Sequence, residues 1–324
     1  MTLARPEAPA AQTRLRKWYF CANDGALGGD NFRLLRAAIH SCLRHTDLLP
    51  HCLYVGRTRP ALDKLREMGV TVIRHMPSLE PELRRAYGAD YETFAGHWLR
   101  LDIPRIETED AVVLYTDIDV LFRPLPPRLA RPRLLAVAPE RWRAARSHFN
   151  SGVMLMNLDG LRGVDDAFRA AIRARLAGDF TWPTHDQASF NAFFRGRTDP
   201  LPLEMNWKPY WGVGPETGIV HFHGPKPRIA AALAQNGPAG LDPTQARLHA
   251  LAPAAYAHYG ALYRSELAEP PATGDAPPVY VVDDGGPTTE PALRAVLRDA
   301  RHWAEDGLRA GLGRLREIRS ARRV

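Results

Sequence analysis

Short β-forming runs alternate with helical periodicity along the first part of this chain, and this alternation most restricts its fold. The runs at 17–22, 52–55 and 70–73 are apolar and short enough to be buried strands. Between them, the apolar residues of 32–43 recur at helical spacing, and 60–68 has a similar pattern. This order predicts an α/β fold, with a mostly parallel sheet and helices on both of its faces.

Three further apolar runs, at 111–115, 134–137 and 152–156, extend the same pattern. In a mostly parallel sheet the loops that follow the strands meet at one edge, and ligands bind at that edge. The first of these runs leads directly into Asp117 and Asp119. We therefore expect the functional side chains to lie just after strands.

The chain has 324 residues and an ordinary apolar content of 45%, which is enough for one large domain with appendages. We divide it into a flexible lead (1–16), the main α/β domain (17–230), an Ala/Pro-rich extension and linker (231–289) and a basic, amphipathic helical tail (290–324). The last two segments predict a C-terminal helical appendage to the main domain.

Basic residues exceed acidic ones by 43 to 36, and much of the excess lies in the tail. Such an excess favours acidic partners. Because the tail lacks interleaved aromatic residues, we do not expect a nucleic-acid partner. Its apolar stripe and arginines favour a peripheral contact with an anionic membrane. The alternative is that the tail packs on the main domain, since Gly307, Gly311 and Gly313 weaken a free helix.

The three cysteines, Cys21, Cys42 and Cys52, have neither an even number nor a CxxC spacing. This argues against a disulfide framework and a structural zinc site, and it favours a reducing compartment. Residues 1–13 lack the apolar core of a signal peptide, and no run approaches the roughly 18 apolar residues of a membrane span. We expect a cytoplasmic protein that contacts the inner face of the cell membrane only through its tail.

Asp117 and Asp119 are separated by one residue at the end of a predicted strand, so the β pleat directs both side chains to the same side. Two carboxylates aimed together form a site for Mg²⁺ or Mn²⁺. A second short strand ends at His221, whose imidazole favours Mn²⁺, and it is followed by Gly224 and by Lys226, which suits a phosphate. The alternative is that the two acids cap a strand and face solvent.

Several spaced motifs extend over residues 17–230, and together they are more specific than any one of them. They are found at 21–24, 98–104, 113–120, 138–140, 149–155, 186–187, 206–207, 221–224 and 226–227. In this order they resemble glycosyltransferase family 8, which includes glycogenin and bacterial lipopolysaccharide galactosyltransferases. The resemblance implies a GT-A fold, which is Rossmann-like, and a transfer that retains the anomeric configuration of the sugar.

The resemblance also implies the reaction and its residues. A hexosyl unit would pass from a UDP-sugar to a glycan, a lipid-linked or a small-molecule acceptor, with Mn²⁺ (or Mg²⁺) bridging Asp117, Asp119, His221 and the donor pyrophosphate. The other residues that it implies are Asn23 at the base, Arg100 at the phosphates or beside the aspartates, Lys226 at the pyrophosphate, Glu140, Asn150, Ser151, Asp186 and Gln187 at the donor sugar, and Asp24 and Gly224 elsewhere in the donor site.

Asp186, Gln187 and Lys226 are the expected catalytic residues. Asp186 is the candidate nucleophile or cation stabiliser, whereas a front-face route would need no protein nucleophile. Two positions depart from the family. Ala26 stands where relatives often carry a Tyr that stacks on uracil, and only Pro225 separates Gly224 from Lys226.

Two other classes of function are alternatives. A haloacid-dehalogenase-type phosphatase also has D-x-D after an apolar strand, and Asp283 with Asp284 resembles its late acidic pair. A non-catalytic basic binding protein would use the positive charge of the tail and leave the carboxylates without a chemical role.

Overall fold

The computed structural model describes residues 12–57, 59–140, 149–178, 186–214, 216–237, 242–268 and 279–283. The predicted helical tail at 290–324 lies outside these residues. The strands are β1 (Gln12–Leu15), β2 (Lys17–Asn23), β3 (Leu49–Val55), β4 (Thr71–Arg74), β5 (Val112–Thr116), β6 (Val120–Phe122), β7 (Arg128–Ala130), β8 (Leu135–Val137), β9 (Val153–Asn157), β10 (Asp199–Pro200), β11 (Ile219–His221) and β12 (Tyr280–Asp283). The α-helices are α1 (Gly29–His45), α2 (Arg59–Glu67), α3 (Glu80–Tyr87), α4 (Tyr91–Trp98), α5 (Ile103–Ile106), α6 (Leu158–Ala177), α7 (Asp186–Phe194), α8 (Ile229–Asn236), α9 (Pro243–Leu251) and α10 (Pro253–Ala268).

Seven strands form the main sheet in the order β10-β8-β9-β5-β2-β3-β4. Only β9 is antiparallel to its neighbours, and the other pairs in this sheet are parallel. The mostly parallel sheet predicted from the sequence is confirmed. The six predicted runs correspond to β2, β3, β4, β5, β8 and β9, and the two predicted helices correspond to α1 and α2.

Apolar side chains are buried on both faces of this sheet. Because successive residues of a strand point to opposite faces, Trp18 of β2 packs in one core cluster and Tyr19 packs in the other. Helices α1 and α2 cover the Trp18 face, with Ile39 and Leu65 fully buried. Helices α3, α4, α6 and α7 cover the Tyr19 face, where Trp98 of α4 is 1% exposed. Truncating such a buried tryptophan costs about 3–5 kcal/mol.

Helices α3, α4 and α5 lie between β4 and β5, where no helix is predicted from the sequence. None of the three exceeds eight residues. A segment of that length is too short to show a repeated apolar stripe, so periodicity does not detect it.

A two-stranded antiparallel pair, β6 with β11, lies next to the end of β5. In its register His221 is opposite Val120, the residue that follows Asp119. The topology therefore brings together two segments that are about a hundred residues apart in the sequence.

Segments from both ends of the predicted division contact the main part of the fold. Part of the expected flexible lead forms β1, which pairs with β12 from the expected linker, and β12 also pairs with β7. Helix α10, from the expected extension, packs on α1 and on the β6–β11 pair through Tyr259 and Tyr263, both buried. Aromatic side chains at helical spacing attach this segment to the main domain because their burial removes large apolar surfaces from water.

Among the described residues, no helix has both the length and the apolar character that crossing a bilayer requires. The three cysteines are free, and Cys42 and Cys52 are buried within the core.

Candidate active site

A cavity of about 890 Å³ opens at the edge where the parallel strands end. Its walls come from the ends of β2 and β5, from α4 and from the start of α7. The predicted site residues that line it are Asn23, Asp24, Arg100, Asp117, Asp119, Asp186, Gln187 and Lys226. Most of the predicted site residues therefore share one cavity at the expected edge of the sheet.

Asp117, Asp119 and His221 form the group of possible metal ligands at the floor of this cavity. Each offers one ligand atom, and the three atoms lie within 4.8 Å of one another. The Asp117 side chain is 39% exposed, that of Asp119 is 14% exposed and that of His221 is 1% exposed. The predicted convergence of two carboxylates and an imidazole is present, with the imidazole held inside the protein.

The Asp117 carboxylate is bound on one side and open on the other. Its Oδ1 accepts a hydrogen bond from the Tyr115 hydroxyl at 2.9 Å, and Arg100 Nη1 lies 3.4 Å from the same oxygen. Its Oδ2 and His221 both border the space beside Gly152. Tyr115 and Arg100 therefore hold one oxygen of the carboxylate, and the other lies near the imidazole.

The Asp119 carboxylate has a nitrogen-bearing side chain beside each oxygen. His221 Nε2 lies 3.3 Å from Oδ1, and Lys226 Nζ donates to Oδ2 at 2.5 Å. Burial alone would raise the pKa of Asp119, but the Lys226 ammonium, the first of its charged neighbours, helps to hold that pKa well below its usual range. Asp119 is therefore ionised and available as an anionic ligand.

Gly152 leaves the space in which the three side chains meet. A Cβ at this position would lie 2.3 Å from His221 Cε1 and 2.7 Å from Asp117 Oδ2, closer than real Cβ contacts. Two oxygen donors and one imidazole nitrogen around such a space match the ligand preferences of Mn²⁺ and Mg²⁺. The residues present fit a divalent cation.

Arg100 is buried and connects the two acids that flank the cavity. It forms an ion pair with Asp186 through Nη2, and its Nη1 donates to the Ser151 carbonyl at 2.8 Å. Burial alone would lower the pKa of Arg100, but the Asp186 carboxylate, together with Tyr115 and Asp117, raises it. Of the two roles implied for Arg100, this geometry corresponds to steadying the aspartates.

Asn150, Ser151 and Gln187 form a hydrogen-bonded group beside the metal-ligand side chains. Gln187 Oε1 accepts from the Ser151 backbone N–H at 3.2 Å and from Asn150 Nδ2 at 3.3 Å. Gln187 lines the cavity, whereas Asn150 and Ser151 are buried behind it. The structure thus brings Gln187 to the cavity and uses the other two to hold it.

Asn23 and Asp24 line the cavity, but their side chains bind protein groups. Asn23 Oδ1 accepts from the Ala26 backbone N–H at 3.0 Å, and its Nδ2 donates to the carbonyls of Glu92 and Thr93. Asp24 accepts from the Tyr54 hydroxyl and from a backbone N–H of the loop after β3. Both residues shape this end of the cavity by joining the end of β2 to its neighbours.

Glu140 and Gly224 do not line the cavity. Glu140 Oε1 lies 3.4 Å from Nζ of the fully buried Lys208, and burial lowers the pKa of Lys208 to about 8 although Glu140 opposes that shift. Gly224 has a φ of +92°, and a Cβ there would meet Leu248 of α9 at 2.9 Å. Gly224 is therefore required by its backbone conformation and by packing.

Two residues without an assigned role in the sequence also support the site, Gly152 and Asn206, and Lys208 pairs with Glu140. Gly152 and Asn206 belong to motifs that resemble the family, so the motifs marked the positions without indicating what the side chains do. Asn206 is fully buried and its Oδ1 lies 2.9 Å from His221 Nδ1. No sequence signal distinguishes Lys208 from a surface lysine.

No protein-family model matches this chain, and no curated protein sequence matches it. Among solved structures, the galactosyltransferase LgtC in complex with donor and acceptor sugar analogues has a TM-score of 0.52 and 20% identity, over 72% of this chain and 94% of that chain. An active-site mutant of LgtC has a TM-score of 0.51 and 19% identity over the same shares. The chain therefore has the GT-A fold that its motifs predicted, and shares it with the galactosyltransferase LgtC.

Proposed function

We propose that this chain is a metal-dependent, retaining glycosyltransferase that moves a hexosyl unit from a UDP-sugar to a glycan, a lipid-linked or a small-molecule acceptor. The observation that carries the proposal is the convergence of Asp117, Asp119 and His221 on the floor of a cavity at the carboxyl edge of a GT-A sheet. Nucleotide-sugar donors present a pyrophosphate that a divalent cation can bridge to such ligands.

Breaking the bond between sugar and pyrophosphate leaves new negative charge on the leaving group. Asp117, Asp119 and His221 would hold a divalent cation, Mn²⁺ or Mg²⁺, which would supply Lewis-acid stabilisation of that charge. Lys226 is 46% exposed and lies beside Asp119, so its ammonium can reach a phosphate that enters the cavity. Arg100 contributes by holding Asp117 and Asp186 in place, since it is buried and paired with both.

Gln187 and Asp186 are the residues that we propose for the donor sugar. Gln187 lines the cavity, and its Oε1 is held by Asn150 and Ser151, so its amide nitrogen is the end that can donate to a sugar hydroxyl. Asp186 is buried and paired with Arg100, an arrangement that favours charge stabilisation over nucleophilic attack. This favours the front-face route, in which the leaving phosphate oxygen assists the acceptor.

The nucleotide is proposed to lie against the end of β2. Both ends of the Asn23 side-chain amide hydrogen-bond to protein groups. The base would therefore contact the cavity wall that Asn23 and Asp24 stabilise, and not the Asn23 amide itself. Ala26 leaves this end of the cavity without a stacking ring from that position. The tail at 290–324 remains a proposed contact with anionic membrane.

The phosphatase alternative lacks structural support. Its late acidic pair begins at Asp283, which ends β12 in the separate three-stranded sheet and lies 3.8 Å from Arg128. Asp283 does not line the cavity that contains Asp117 and Asp119. The LgtC fold, with the acids at the end of β5, supports transfer of a sugar instead.

Calorimetric titration of UDP with and without Mn²⁺ tests the proposal. The wild-type protein should bind UDP in the presence of Mn²⁺, and a chelator should lower the affinity at least tenfold. Asp119→Asn should lower the Mn²⁺-dependent affinity by about 100-fold, because a ligand to the cation is lost, which corresponds to about 2.7 kcal/mol. Asp159→Asn, an exposed acid on α6, is the matched control and should bind normally. Tight UDP binding by Asp119→Asn without metal would refute the assignment.

A second experiment addresses the sugar. Gln187→Ala should lower turnover by about 10²-fold, because a group that contacts the sugar stabilises the transition state, and should leave UDP affinity within a few-fold of wild type. Proton NMR of the product should show the retained anomer. Loss of UDP binding with normal turnover of the bound fraction would contradict the placement of Gln187, and an inverted product would contradict retention.

A further inference from the structure

The turn before β9 directs two backbone N–H groups at side-chain amides. The Gly152 N–H donates to Asn150 Oδ1 at 3.0 Å, and the Ser151 N–H donates to Gln187 Oε1 at 3.2 Å. A backbone N–H can only donate, so each of these contacts identifies the amide atom that faces it as oxygen. The orientation of two side-chain amides is thereby set by the backbone.

The first of these contacts determines the orientation of Asn206. Because Asn150 Oδ1 faces Gly152, the Asn206 atom that lies 3.3 Å from that same oxygen must be the donor, Nδ2. The other end of the Asn206 amide is then Oδ1, which lies 2.9 Å from His221 Nδ1. Asn206 is fully buried and Asn150 is 4% exposed, so water does not compete for these amides.

An amide oxygen can only accept, so His221 Nδ1 carries the proton in the neutral imidazole. Nε2 is then unprotonated and presents its lone pair toward Asp119, 3.3 Å away. We propose that Asn206 is a positioning residue that fixes His221 in the Nδ1–H tautomer and so makes Nε2 the metal ligand. The role of Nε2 as a metal ligand rests on the proposed function, whereas the tautomer follows from the hydrogen bonds of Asn206 alone.

The same turn acts on the sugar side of the cavity. Asn150 Nδ2 donates to Gln187 Oε1 at 3.3 Å, in addition to the Ser151 N–H. Within the part of the chain that the structure describes, Gln187 Nε2 has no hydrogen-bond acceptor. Asn150 therefore hydrogen-bonds both to Asn206, which contacts the proposed metal ligand His221, and to Gln187, whose amide nitrogen faces the cavity.

Heteronuclear NMR of nitrogen-labelled histidines in the metal-free protein tests the tautomer directly, at a pH where imidazole is neutral. The protein has 12 histidines, so the His221 signal is assigned by its loss in His221→Gln. Wild-type protein should show Nδ1–H at His221. Asn206→Leu removes the acceptor, and the proton should move to Nε2, where Asp119 can accept it. Wild-type protein with Nε2–H, or Asn206→Leu that keeps Nδ1–H, would overturn the proposal.

Two further variants separate positioning from folding. Asn206→Asp keeps an oxygen opposite Nδ1 and should retain the tautomer and a Mn²⁺ affinity no more than a few-fold below wild type, whereas Asn206→Leu should lose about 10- to 100-fold. Asn157→Leu, at the other end of β9, removes an asparagine that also bonds through both amide atoms and should change neither. Equal losses in the Asp and Leu variants would overturn the positioning role. Nδ1–H in a protein that binds no Mn²⁺ would support this inference and refute the proposed function.

Discussion

Charged side chains cluster at both edges of the main sheet, and the two clusters are built differently. At the edge where β2 and β5 begin, Glu107 accepts hydrogen bonds from Lys17, from Tyr19 and from the backbone N–H groups of Glu109 and Asp110. We call these five residues the amino-edge cluster. Burial alone would raise the pKa of Glu107, but these bonds, that of Tyr19 first, lower it to about 2.

At the edge where the same strands end, Asp117, Asp119 and His221 direct acceptor atoms toward one another. Their ligand atoms lie within 4.8 Å, and the lone pair of His221 Nε2 faces a carboxylate oxygen. Lys226 is a partly exposed counter-charge for one of these acids. Similar residue types thus surround both Glu107 oxygens with donors at one edge, and form a set of converging acceptors at the other.

The difference indicates how a cluster of acids is recognised as a structural or a binding element. A buried carboxylate surrounded by donors contributes to folding and has no lone pair left for a ligand. Acceptors that converge on one point repel one another, so a cation bound among them would stabilise them beyond what Lys226 and Arg100 contribute from the side. The amino-edge cluster should therefore control stability, and the carboxyl edge should control binding.

The largest effect should come from Glu107→Leu. This change leaves the buried Lys17 ammonium and the Tyr19 hydroxyl without their common partner, and it should cost about 3–5 kcal/mol of unfolding free energy in urea. Glu109→Gln is the control, because Glu109 also contacts Lys17 but is 70% exposed, and should cost under about 1 kcal/mol. Both proteins, where folded, should bind UDP with Mn²⁺ normally. An unfolding free energy equal to that of wild type in Glu107→Leu would show that the amino-edge cluster does not control stability.

Gly152→Ala should act at the opposite edge. The added methyl would contact His221 Cε1 and Asp117 Oδ2, so we expect Mn²⁺ affinity to fall about 10- to 100-fold and stability to fall by about 1–3 kcal/mol. Gly163→Ala in α6 is the control, since a Cβ there meets nothing within 4 Å. It should stabilise the protein by about 1 kcal/mol and leave Mn²⁺ affinity unchanged. Normal Mn²⁺ affinity in Gly152→Ala would contradict the proposed metal site.

The smallest effect concerns acid pH. Because the pKa of Glu107 is lowered from 4.5 to about 2, its contribution to stability is complete above about pH 4.5 and is lost as pH falls through about 2. Unfolding free energy should therefore decrease over this range in wild-type protein. Glu107→Gln, which cannot ionise, should show a shallower decrease in the same titration. Identical slopes in the two proteins would show that another group is responsible.

The strand pattern and the position of Asp117 and Asp119 were predictable because both depend on local spacing. Apolar runs of strand length determine the sheet, and a one-residue separation after a strand determines that the two acids point the same way. The length and polarity of α3, α4 and α5 gave no comparable signal. Asn23 was expected to contact the nucleobase. Its side chain binds protein groups instead, so a contact between the base and the backbone of Asn23 stays a prediction.

By itself, the sequence determined the six main strands with the first two helices, the α/β class and the edge of the sheet at which chemistry is to be sought. These follow from apolar periodicity and from the polarity of parallel strands, which neighbours in the chain specify, whereas the GT-A fold was implied by the resemblance of the spaced motifs to a known family. Only the tertiary structure decided that His221 meets Asp119, that Asn206 orients it, and that Glu107 is surrounded by donors while Asp117 stays partly exposed at the cavity. Those outcomes depend on which donors and acceptors from distant segments face each other, and hydrogen-bond partners of this kind are set by packing, not by spacing along the chain.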